Sequence, residues 1–183
     1  MKATKGIVLC VIVFTQSAKS QNNNHQYYLE GQFCSGLQQN CFVSGIGGAF
    51  GFYISNNQSI DFRAKEIYNF SDKNVIGVLN FNYRYHFKNG VFIGGGFAHH
   101  HEISGIHYIE QPAEAALGSH PQMRHRSGLS AEIGYSFKAI SKTGFFNCVY
   151  PTANLMGTYM ILDKGLNPLI TANVGIRIGL KRW

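Results

Sequence analysis

No stretch of this chain is apolar for long enough to cross a bilayer as a helix. The run GIVLCVIVF, Gly6 to Phe14, falls short of the roughly 20 residues such a span needs, and no stop-transfer segment follows it. Proline is scarce, at 4 residues, and beyond position 20 no window carries a helical period, which excludes a helical bundle. Charged residues are only 14% of the chain and are scattered rather than run together, so there is no nucleic-acid footprint and no nucleic acid is expected as a partner. No closed metal motif of the helical H-E-x-x-H kind occurs.

The opening residues have the grammar of a secretory leader. Lys2 and Lys5 precede the apolar run, and Ala18 and Ser20 stand at the small-residue positions that a signal peptidase reads. Cleavage is expected near Ser20, leaving one domain of ordinary size over 21–183. Cys10 does not make a lipoprotein signal, because the large Leu9 sits where a lipobox needs a small side chain. Loss of Lys2, Lys5 and Lys19 takes the formal charge from +7 to +4.

The exported part is rich in glycine (21 in the whole chain) and aromatic residues (14%), and its recurring pattern is alternation. In VIGVLNFNYRYHF one face carries Val75, Leu79, Phe81, Tyr83, Tyr85 and Phe87, and the other carries Asn80, Asn82, Arg84 and His86. Asp61, Arg63 and Lys65 alternate with Ile60 and Phe62, while Glu66 falls on the apolar parity. Glu132 opposes Ile133 and Tyr135, and Arg177 opposes Ile176 and Ile178. Ions on one face and aromatics on the other suit a membrane β-barrel, whose apolar face meets lipid and whose interior is polar. Eight strands are predicted, at about 26 to 35, 41 to 54, 59 to 70, 75 to 87, 91 to 104, 122 to 138, 145 to 162 and 169 to 182. Tight turns at Asn56 to Gln58 and Lys88 to Gly90 belong to one end, and the long connection Gly105 to Pro121 to the other. The fold class expected is all-β, an antiparallel up-and-down eight-stranded transmembrane barrel.

A leader ending in SQ, eight amphipathic strands, aromatic-flanked bands and a last strand ending at Trp183 resemble the small outer-membrane β-barrels of Gram-negative bacteria, in particular those of Bacteroidetes type. The resemblance covers the whole mature chain and implies an outer-membrane location with lipid as a partner. On such a barrel Glu30, Asp61, Arg63, Lys65, Arg84, Glu132 and Arg177 face inward, where opposed acids and bases fill an interior too narrow for a channel.

Histidine is where the chain is dense. GGGFAHHHEISGIHY sets His99, His100, His101 and His107 beside Glu102, and parity splits them: His99 and His101 on the outer face, His100 and Glu102 on the inner. The following strand returns His125 toward His99 and His101, so these three are the candidate metal ligands, expected to hold zinc or copper weakly; no other cofactor is expected. RHRSG is similar to the His-x-Ser element of the outer-membrane lipid A 3-O-deacylases, themselves eight-stranded barrels. That similarity implies Ser127 as nucleophile and His125 as its base. Gly128 stands where that family has asparagine, and no acid follows at the family's interval.

Cys34 and Cys41 flank SGLQQN on consecutive strands and are expected to form a disulfide, leaving Cys148 reduced. Three readings of function stay open: a membrane anchor whose outer loops, chiefly 105–121, meet an extracellular partner; a deacylase-like esterase using His125 and Ser127; and a secreted soluble barrel carrying a ligand.

Overall fold

A computed structural model describes residues 25–140, 148–161 and 168–181, and its strands close into one barrel in the order β1 to β8. The strands are β1 His25–Gln38, β2 Cys41–Ser55, β3 Gln58–Asn69, β4 Asn74–His86, β5 Val91–Ser104, β6 Arg124–Ser136, β7 Cys148–Met160 and β8 Leu169–Lys181. Each pairs antiparallel with its neighbour, and β8 closes on β1. The expected leader over 1–20 and the terminal Trp183 lie outside the described residues.

Alternation decides which face each side chain takes. Arg63, Arg84 and Arg177 are at most 2% exposed inside the barrel, whereas Phe62, Phe81 and Ile176 on the same strands are 63%, 44% and 51% exposed outside. A soluble barrel has the opposite distribution. Strands of 12 to 15 residues are longer than the roughly 9 to 11 that a tilted membrane strand needs.

The interior is layered. At the inner end Tyr28, Tyr53, His86 and Phe92 stack in sequence, with centroids 5.4 to 5.7 Å apart. Above them lies an ionic layer. Toward the outer end Cys34, Val43, Ile67, Ile76, Val78 and Leu169 form a buried apolar cluster. This last layer departs from a uniformly polar lumen: Val43, Ile67, Ile76 and Val78 share the parity of the charged residues, and at a place closed on all sides apolar packing fills the lumen without needing a hydrogen-bond partner.

Two expectations about the first hairpin are corrected. β1 runs on to Gln38, and the outer turn is the pair Gln39 and Asn40, both at positive φ (51° and 66°), rather than the segment 35–40. The register therefore sets Cys34 opposite Gly45 and Cys41 opposite Gln38. Four residue steps, about 13 Å along the strand, separate the two cysteines, and no disulfide forms: Cys34, Cys41 and Cys148 are all free thiols.

The long outer connection holds two short helices, α1 Gly105–Glu110 and α2 Pro112–Leu117. The Ser104 hydroxyl accepts the His107 amide to cap α1; Pro112 opens α2, and Gly118 ends it in the left-handed region at φ 74°. The helices lie against the outer wall, so Ile103, on the outward face of β5, is only 4% exposed.

Candidate functional site

Three arrangements of polar groups stand out, one inside the barrel and two on its outer wall. Inside, three carboxylates meet three guanidiniums. Glu30 accepts Arg177 at 2.8 and 2.9 Å and Arg84 at 3.4 Å. Glu132 accepts Arg84 Nη2 at 3.0 Å, Arg63 at 3.3 Å and the Asn154 amide at 2.6 Å. Asp61 pairs with Arg84 at 2.9 Å and accepts the Tyr28 hydroxyl at 3.1 Å. Arg177 and Arg84 also lie over the rings of Tyr28 and Phe92, at 4.5 and 4.7 Å. Lys65 stands apart, its ammonium 2.7 Å from Asn173 Oδ1. All seven charged residues assigned inward from sequence lie in this interior, and the network ties β1, β3, β4, β6, β7 and β8 together.

On the outer wall the structure brings His99, His101 and His125 together. His101 is the register partner of His125, and His99 that of Ser127. The three ring centroids are 4.7, 4.9 and 5.7 Å apart, and one nitrogen from each ring lies within 4.8 Å of the others. His100, on the opposite parity, is buried inside the barrel. Ser127 Oγ is 2.9 Å from His99 Nδ1, so the serine's hydrogen-bonding histidine is His99 across the strand pair rather than His125 on its own strand. The nearest acid in sequence, Glu102, faces inward and pairs with Arg126 at 3.3 Å.

Among the polar members of the third arrangement, only one misplaced charge stands out in the sequence. Glu66, on the lipid-side parity of β3, receives the hydroxyl of Tyr108 from α1, and this bond to a carboxylate pushes the Tyr108 phenol up to about 12. Under the two helices a cavity of about 310 Å³ runs along the outer wall, lined by Ile46, Val75, Leu79, Ile103 and Ala115 among others, with Lys65, Glu66, His101 and Tyr108 as its polar members. A capping serine, a proline and a glycine at Ser104, Pro112 and Gly118 are the sequence signals from which these helices could have been found. At the outer mouth of the lumen, a polar recess of about 490 Å³ is lined by Gln38, Asp72, Asn74, Glu102, Arg124 and Arg126 among others.

No protein-family model and no curated protein matches the sequence. Solved structures do match. Neisserial surface protein A (NspA) aligns over 87% of this chain and 97% of its own, at 11% identity and a TM-score of 0.52. The N-terminal β-barrel domain of Pseudomonas aeruginosa OprF aligns over 84% and 98%, at 15% identity and 0.47, and the outer membrane protein OprG from the same organism over 91% and 99%, at 11% and 0.45. At such identities the likeness is one of architecture: this chain is a closed, antiparallel, eight-stranded up-and-down β-barrel of the kind seen in NspA.

Proposed function

We propose that the protein is an outer-membrane anchor, closed to solutes, that presents its outer rim and the 105–121 connection to the cell exterior. The observation that carries this reading is the inversion of polarity across the wall. Placing a guanidinium on the lipid side near the midplane costs roughly 2 to 4 kcal/mol. Here the arginines lie inside, and Phe33, Ile46, Phe62, Phe97 and Val174, each at least half exposed, lie outside. In water such an exterior would be an aggregating surface; in a bilayer it is the solvated one. Kinship with Bacteroidetes barrels rests on the sequence features alone.

The test is gel mobility of detergent-folded protein with and without boiling, together with sedimentation of cell membranes. The folded protein is expected to migrate differently before heating and to fractionate with the outer membrane. Recovery as a soluble monomer without detergent would overturn the reading.

The esterase alternative is carried by less. Ser127 has a histidine partner, but among the described residues neither His99 nor His125 has a hydrogen-bonded carboxylate to orient it. Release of fatty acid from lipid A by the wild type, lost in Ser127→Ala, would establish the esterase; no release above background is expected.

A further inference from the structure

We propose that His99, His101 and His125 form a three-imidazole site for zinc or copper(II) on the outer wall of the barrel. The argument starts from backbone geometry. His99 and His101 are two residues apart on β5 and so share a face, and the register of β5 with β6 sets His125 directly beside His101. Three ring nitrogens, each about 2.0 to 2.1 Å from a tetrahedral ion, lie roughly 3.3 Å from one another. Bringing the nitrogens from within 4.8 Å of one another to that spacing asks for rotation of rings that the strand register already sets side by side.

Two contacts hold the ligands in place. The Ser127 hydroxyl engages His99 Nδ1 at 2.9 Å and leaves Nε2 as the nitrogen free for an ion. Gly118 comes so close to the His101 ring that a Cβ there would lie 2.5 Å from its Cε1, so the end of α2 limits that ring's movement. Imidazole ligands suit zinc and copper rather than calcium or magnesium, and three of them leave a coordination position for water or another oxygen donor. The cluster stands near the outer end of the strands, and His125 is exposed. An ion can therefore reach it from the exterior without passing the barrel.

The experiment is calorimetric titration of the untagged, detergent-folded mature protein with zinc and with copper, and cobalt(II) absorption as a report of coordination geometry. One equivalent per chain is expected, with a tetrahedral cobalt spectrum. Binding should be lost in the variant with His99, His101 and His125 all replaced by alanine, and retained when His107 and His120, the other stacked histidine pair, are replaced. Ser127→Ala should weaken binding by about tenfold, as loss of a partner that orients a ligand does. Nitrogen-15 spectra of the histidine rings give a readout that needs no variant: three rings should shift on adding zinc. Binding that persists undiminished in the triple variant, or wild-type protein that takes up no ion and shifts no ring, would overturn the proposal.

Discussion

Arg84 shows what a single side chain does in this interior. It is fully buried and bonds to Glu30, Asp61 and Glu132 at once, so its removal takes a charged partner from three buried carboxylates. Losing one partner of a buried ion network costs about 3 to 5 kcal/mol, far more than a surface pair is worth. Arg84→Leu is expected to lower unfolding stability by that amount, measured by urea titration of the protein folded into bilayers. A loss below about 1 kcal/mol would mean that the network is solvated. The cysteines give a second check at this scale. With Cys34 and Cys41 four residue steps apart, the mature chain should titrate three thiols when denatured without reductant. The folded barrel should withhold Cys34, which lies in the apolar cluster. A single reactive thiol in the denatured chain would refute the register. Gly96 is one of several glycines at which the strands approach closely: a Cβ there would run into the Phe81 carbonyl of the adjoining strand.

The outer helices depend on local contacts rather than on a core of their own, since α1 buries no residue completely. Their tie to the wall is Tyr108 on Glu66, and its pH dependence has a definite sign. The Tyr108 phenol is raised from 10.0 to about 12, so docking favours the protonated form. The contribution is complete below pH 10 and is lost as pH climbs through about 12. Limited proteolysis of the folded protein should show the 105–121 segment protected up to pH 10 and cut progressively faster above it, with Tyr108→Phe cut at the faster rate throughout. Equal rates for the two proteins at pH 8 would show that this bond does not hold the loop. At the same scale the sequence was unevenly legible. Strand parity could be read wherever charges alternate with aromatics, as in β3, β4 and β8, and parity alone placed His99 and His101 on one face and His100 on the other. It failed at Val43, Ile67, Ile76 and Val78, because alternation cannot reveal that an apolar side chain faces a lumen sealed above and below. Helices of six residues leave no period to detect, so alternation and helical spacing reveal neither α1 and α2 nor the reason for Glu66.

At the scale of the whole molecule, conduction separates a plug from a pore. A barrel of eight strands has an interior just wide enough to be filled by side chains, and here three successive layers fill it. The aromatic layer of Tyr28, Tyr53, His86 and Phe92 closes the inner end, the arginine and carboxylate network the middle, and Val43, Ile67, Ile76, Val78 and Leu169 the outer half. The recess bounded by Asp72, Glu102, Arg124 and Arg126 lies at the outer mouth of the lumen. At the level of the apolar cluster Val78 lies in register between the buried Lys65 and His100, so apolar and polar side chains together pack the lumen against the passage of hydrated ions. Planar bilayers holding the purified protein should therefore show no discrete current steps. Because the layers seal independently, Arg84→Ala should remain closed although it is less stable, whereas a plug made of ion pairs alone would leak once the pairs were broken. Stepwise current through the wild type would show that the lumen opens in a bilayer and would overturn the anchor reading. Current through Arg84→Ala alone would assign the seal to the ionic layer and leave the apolar cluster a packing role.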